Sequence, residues 1–255
     1  LRQRLGGRLR VLCQVGAAGD QSPRDLTRPH RGGPTYWDEA GMVDLGGRLA
    51  AAVEAAVPVA RAARREAVVF AHETLDLRLP VRAVSPAAYA RATAELAALR
   101  AREPADETAP GAAYARFVRH TREREAPDRP GPYDDKNDDF VLIRNLEAVV
   151  RRFELCRRDP MASIEVHVLR LGELGLSTSP FELYQEYGMR IRARSPAGLT
   201  LHAQLSADAA GYLPTERAVA AGGYGALVAN GLIGPEGGQL LVEQVLGALA
   251  RLFLS

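Results

Sequence analysis

The residue types best suited to chemistry fall in three short segments. The first is GAAGDQSP at 16–23, where Asp20 and Ser22 sit on a turn that small residues keep open. A serine hydroxyl there can act as a nucleophile once a base activates it, yet Ser followed by Pro is also the usual pairing of a helix N-cap with the first helical position. No GxSxG elbow surrounds Ser22 and no histidine lies beside it, so both readings stand. The second segment is SPFELYQEYG at 179–188, with Glu182 just after an apolar Phe and at the start of a helical pattern. Such a carboxylate can serve as a helix-dipole partner, a metal ligand or a general base. The third is GYLPTERAVAAGGYG at 211–225, which sets Tyr212 at a strand exit and Tyr224 between glycines. Loop tyrosines usually pack the ring and leave the hydroxyl wet.

The five histidines, His30, His72, His120, His167 and His202, show no HxH or HExxH spacing. His167 and His202 fall on opposite-facing alternations of predicted strands and read as core or sheet-surface residues. Cys13 and Cys156 have no CxxC spacing and read as core residues.

The elements that must position these segments come from periodicity. The pattern predicts a buried strand over 9–15 that runs into the 16–23 turn. Leu45, Leu49, Val53, Ala56 and Ala60 recur at steps of three and four, which predicts an amphipathic helix from residue 42 with its apolar face packed on that strand. Strand character runs over 68–81, and Ser85-Pro86 opens a helical stretch to about residue 102. Residues 103–139 are rich in Pro, Asp, Glu, Arg and Gly and read as a surface insert. Phe140, Ile143, Leu146, Val150 and Phe153 define a further helix, with Asp138 and Asp139 at its positive end. The runs 164–169 and 199–205 alternate and read as strands of one sheet, with helix character over 180–194 between them. A helix over 239–254 follows. The fold class expected is therefore α/β, a mixed sheet flanked by helices.

Composition excludes several function classes. With 47% hydrophobic and 25% charged residues over 255 positions, the chain belongs with globular proteins and not with disordered or fibrous ones. A balance of 33 basic against 31 acidic residues leaves a net charge of +2, without the single-sign field that binds nucleic acid. The apolar runs are too short for a transmembrane segment. Every basic residue except Lys136 is arginine, which with the abundant alanine reads as genomic bias.

Taken in order, GDQSP, PFE and GYLPTERAVAAGGYG resemble the later half of the catalytic domain of the neutral ceramidase family, most closely its short bacterial branch. The resemblance is strongest over 9–25 and 160–246. It implies that Ser22 is the catalytic serine, that Glu182 and Tyr212 are zinc ligands, and that Tyr224 lies close to the substrate amide. The family's other two zinc ligands are histidines upstream of that serine. On this reading residues 1–255 are the C-terminal part of a ceramidase-like zinc amidase domain, with the histidine ligands and the N-terminal half of the domain expected upstream of Leu1. One carboxylate and one phenol are too few to hold zinc, so such a piece is expected to be weak or inactive alone.

The implied reaction is zinc-dependent hydrolysis of the amide of an N-acyl lipid such as ceramide, releasing fatty acid and an amine. Ala17 and Ala18 replace the asparagine-containing lead-in of the better known ceramidases, and 183–185 (LYQ) replaces their Thr-rich run, so the substrate is drawn more widely than ceramide. The alternative is a non-catalytic ceramidase-like lipid-binding or structural protein, or an inactive fragment. The partners expected are a small lipid amide and the N-terminal half of the domain. No compartment is assigned.

Overall fold

The chain is α/β: a mixed sheet accompanied by helices. The computed structural model describes residues 1–23, 38–101 and 139–254, so the insert expected over 103–139 lies outside the described residues apart from Asp139. The four-stranded sheet has the order β1 (Phe70–Pro80), β2 (Met161–Leu171), β3 (Leu174–Thr178) and β5 (Leu199–Ala203). β2 and β3 are antiparallel and β3 and β5 parallel, the latter with Ser177 opposite His202 and Thr178 opposite Ala203. The expected strands over 164–169 and 199–205 thus share one sheet, with β3 inserted between them. Two short strands, β4 (Glu182–Leu183) and β6 (Tyr212–Leu213), carry two of the candidate site residues.

Seven α-helices occur among the described residues: α1 (Arg2–Leu5), α2 (Glu39–Ala62), α3 (Pro86–Arg100), α4 (Asp139–Arg158), α5 (Gln185–Arg194), α6 (Glu216–Ala221) and α7 (Pro235–Leu254). Ser85 caps α3 by accepting the Ala88 N–H at 3.1 Å, with Pro86 at the first helical position, as the Ser-Pro pairing predicts. No helix among the described residues is long and apolar enough to cross a membrane.

Contacts divide the chain into two units. Unit one holds Leu1–Leu75, Glu165–Ala209 and Val242–Ser255; unit two holds Asp76–Ile164 and Ala210–Leu241. In unit one the sheet buries Val166, Val168 and Ser177 on one face, and the second half of α7 buries Val245, Ala248 and Leu249. Gly175 keeps that packing close, since a Cβ there would stand 2.9 Å from a Leu249 methyl. Arg170 donates to the Leu252 carbonyl at 2.7 Å and lies over the Phe253 ring. In unit two, α3 and α4 pack through Leu96, Leu99 and Ile143, with Tyr89 stacked on Phe153 at 4.3 Å.

Three expectations fail. Residues 9–15 form no strand and are almost wholly exposed, Leu12 at 85%. A strand needs a neighbour to hydrogen-bond, and what ties this segment to the sheet side is the Gln204 N–H, which donates to the Val15 carbonyl at 3.0 Å. Cys13 is consequently exposed and Cys156 half-buried, so neither is a core residue. Helix α2 forms, capped by Asp38 on the Gly41 N–H at 2.7 Å, but Leu49 and Val53 are exposed and the buried positions are Gly41 and Ala50. Apolar spacing states which side chains share a face; it does not supply an element to lie over that face.

Candidate functional site

Two of the three chemistry-bearing segments meet in unit one. Helix α5 begins after Tyr184, whose side chain makes no capping bond, so its first N–H groups need an acceptor from elsewhere. Asp20 provides it: its carboxylate accepts the Gln185 N–H at 2.7 Å across 165 positions of sequence. The negative charge also sits at the positive end of the helix, which adds to the bond. Beside it the Gly19 N–H donates to the Leu183 carbonyl at 2.8 Å. Gly19 must be glycine for this approach, because a Cβ there would lie 2.1 Å from the Glu182 carbonyl oxygen. Ala17 likewise packs where a Cβ on Gly188 would come within 2.5 Å. Burial, and then the Asp20 carboxylate, push the Tyr184 phenol above its usual range.

The turn that carries Ser22 is therefore clamped to the segment that carries Glu182. Ser22 is exposed, and Glu182 is half-buried between the buried Phe181 and Leu183.

A second arrangement in the same unit was not legible in the sequence. His202 stands between two fully buried serines, with Ser177 Oγ 2.9 Å from Nδ1 and Ser179 Oγ 3.0 Å from Nε2. A neutral imidazole donates from one nitrogen and accepts at the other, so both serines are satisfied. Burial brings the His202 pKa down to about 4. A nucleophilic serine must touch substrate, and these two are sealed, so the chain of bonds braces β3 against β5.

This brace makes stability depend on pH. Above the ordinary value of 6.5 the imidazole is neutral both folded and unfolded and contributes no slope. Below it the unfolded chain takes a proton that the folded chain refuses until about pH 4, so stability falls with acidification across that window. The loss approaches about 3 kcal/mol by pH 4. Urea unfolding at pH 7, 5 and 4 should show it, and the drop should shrink in His202→Gln.

The third segment lies in unit two. Tyr212 and Tyr224 meet edge to face, with ring centroids 5.8 Å apart; Tyr212 is half-buried and Tyr224 58% exposed. Gly211, at φ +74, pairs with Gly231, where a Cβ would fall 2.1 Å from the Tyr212 carbonyl oxygen. The Asn230 amide donates to the Tyr224 carbonyl at 2.7 Å. Two arginines hold the chain that follows. Arg152 donates to the carbonyls of Gly231 at 2.7 Å, Leu232 at 2.9 Å and Val228 at 3.4 Å, and Arg82 to that of Ala226 at 2.6 Å. Burial lowers the pKa of both.

No family model, curated protein or solved structure matches the chain.

The chemistry of the site rests on its own residues. Glu182 and Tyr212 both offer oxygen, which zinc accepts, but zinc takes about four ligands. Among the described residues no three His, Cys, Asp or Glu side chains gather where they could hold a metal ion.

Proposed function

We propose that the chain contributes Ser22 and Glu182 to a hydrolase that cleaves the amide bond of an N-acyl lipid such as ceramide, as the resemblance to neutral ceramidases implies. The observation that carries this reading is the Asp20 clamp on Gln185, which keeps the GDQSP turn beside the PFE segment although 165 positions separate them. In this reading Ser22 attacks the carbonyl or positions an attacking water, and Glu182 is a metal-binding carboxylate. Tyr212 and Tyr224 keep the roles that the resemblance gives them. Zinc, when bound, supplies a Lewis acid that polarises the amide carbonyl; its further ligands are donors other than Glu182 and Tyr212.

The test uses the protein in its natural full length, supplied with zinc, and measures fatty acid released from a fluorogenic N-acyl sphingosine and from simpler N-acyl amines. Ser22→Ala and Glu182→Gln are each expected to lower kcat/KM by about 10³-fold, the scale on which removal of a nucleophile or of a charge-stabilising group acts. Activity retained in both variants removes the site assignment. Lipid bound without any release of fatty acid selects the non-catalytic alternative.

A further inference from the structure

We infer that His72 and His167 form a two-histidine chelate for a late first-row divalent transition-metal ion, of the nickel(II) or copper(II) type. The site is independent of the proposed hydrolase. His72 stands on β1 and His167 on the neighbouring β2, both within unit one, and alternation along β2 puts His167 on the face opposite to buried Val166 and Val168. His202 pairs with Ser177, which is itself opposite Val168, so the buried imidazole brace belongs to the other face.

The geometry supplies the ligands. His72 Nε2 and His167 Nδ1 are 3.0 Å apart, and the ring centroids are 5.1 Å apart. Two imidazole nitrogens each about 2.0–2.1 Å from a metal stand roughly 2.9 Å apart when they subtend a right angle, and roughly 3.3 Å apart in a tetrahedron. The observed separation matches adjacent corners of a square-planar or octahedral ion, the geometry that copper(II) and nickel(II) adopt with nitrogen and oxygen ligands. Thr74 Oγ1 lies 3.4 Å from the same His167 nitrogen.

The tautomer is set for the purpose. Glu165, two positions before His167 on the same strand face, places Oε1 3.1 Å from His167 Nε2. The carboxylate holds a proton on Nε2 and so turns the Nδ1 lone pair towards His72. A carboxylate behind a ligating histidine orients the ring and raises its basicity. The His167 N–H of the backbone is itself fixed by Thr178 Oγ1 at 3.0 Å. Without metal, the His72 Nε2 proton fills the gap between the rings. On metal binding the neutral imidazole of His72 changes tautomer, its one proton passing through water from Nε2 to Nδ1, so that the Nε2 lone pair is free to bind the ion. His72 is exposed and His167 has 29% of its side chain accessible, so the remaining coordination positions go to water.

Titration of the metal-free chain with nickel(II) chloride by calorimetry in a non-chelating buffer tests this, together with the electron paramagnetic resonance of the copper(II) form. One equivalent of nickel is expected, with two nitrogen donors in the copper spectrum. His72→Ala and His167→Ala should each weaken binding at least tenfold, and Glu165→Gln should weaken it while leaving one equivalent. His72 is exposed, so His72→Ala leaves the fold intact and decides the matter if His167→Ala perturbs the sheet. Affinity unchanged in His72→Ala, or no binding by the parent chain, overturns the inference.

Discussion

Replacing Gly19 by alanine is expected to release residues 16–23 from the Glu182 segment while the rest of unit one stays folded. The new Cβ would stand 2.1 Å from the Glu182 carbonyl oxygen and 2.6 Å from its carbon. Both are backbone atoms, so no side-chain rotation relieves the overlap and one strand of chain must move. The turn is the part that moves, because Glu182 is flanked by the fully buried Phe181 and Leu183. Undocking forfeits the Gly19 bond to Leu183 and the Asp20 bond to Gln185. A neutral bond is worth about 1 kcal/mol and one to a charged group about 1.5–3, so the loss is roughly 3 kcal/mol. Hydrogen exchange at the Gln185 amide should accelerate about 10²-fold, and if the hydrolase reading holds, turnover should fall with it. An unchanged Gln185 amide in Gly19→Ala would show that the clamp is not what holds the two segments together.

Arg152→Met is expected to produce the largest loss of stability in unit two. The guanidinium donates to three carbonyls, those of Val228, Gly231 and Leu232; when it is removed Leu232 keeps the Arg82 backbone N–H at 3.0 Å, and Val228 and Gly231 lose the side-chain donor. Each buried acceptor left unpaired costs about 1–3 kcal/mol. Methionine refills much of the volume and removes the desolvation that lowers the Arg152 pKa, together with its repulsion from Arg82. These gains offset part of the loss, leaving about 3 kcal/mol, or a fall in Tm of roughly 10 °C for a chain of this size. Calorimetry measures it directly. A shift below about 2 °C would mean that water satisfies the carbonyls as well as the guanidinium does. Exchange at the Asn230 and Leu232 amides should also rise, because the chain that Arg152 holds is the one tied to the Tyr224 carbonyl.

Local pattern was enough for much of the architecture. Alternation marked β2 through Ile164, Val166 and Val168, and the Ser85-Pro86 pairing marked the start of α3. Spacing along Leu241, Val245, Ala248 and Leu252 marked α7, whose first three named residues are buried. The same signals misled where a partner was required. Residues 9–15 alternate as a strand should, yet among the described residues no strand pairs with them; Leu49 and Val53 align on α2, yet no element among the described residues buries them. The short strand β3 went unseen because its five residues, LGLST, contain too few alternations to stand out.

The sequence by itself determined the five longer helices, three of the six strands among the described residues, and which residue types could do chemistry, because propensity, capping and periodicity act over a few positions. Only the tertiary structure decided which of those residues meet. Asp20 reaches Gln185, Arg152 reaches three carbonyls about eighty positions on, and His72 finds His167 across two strands. None of these pairs has a spacing that pattern could register. Each depends on chain crossings that small residues such as Gly19 and Gly231 permit, and on strand neighbours that packing selects.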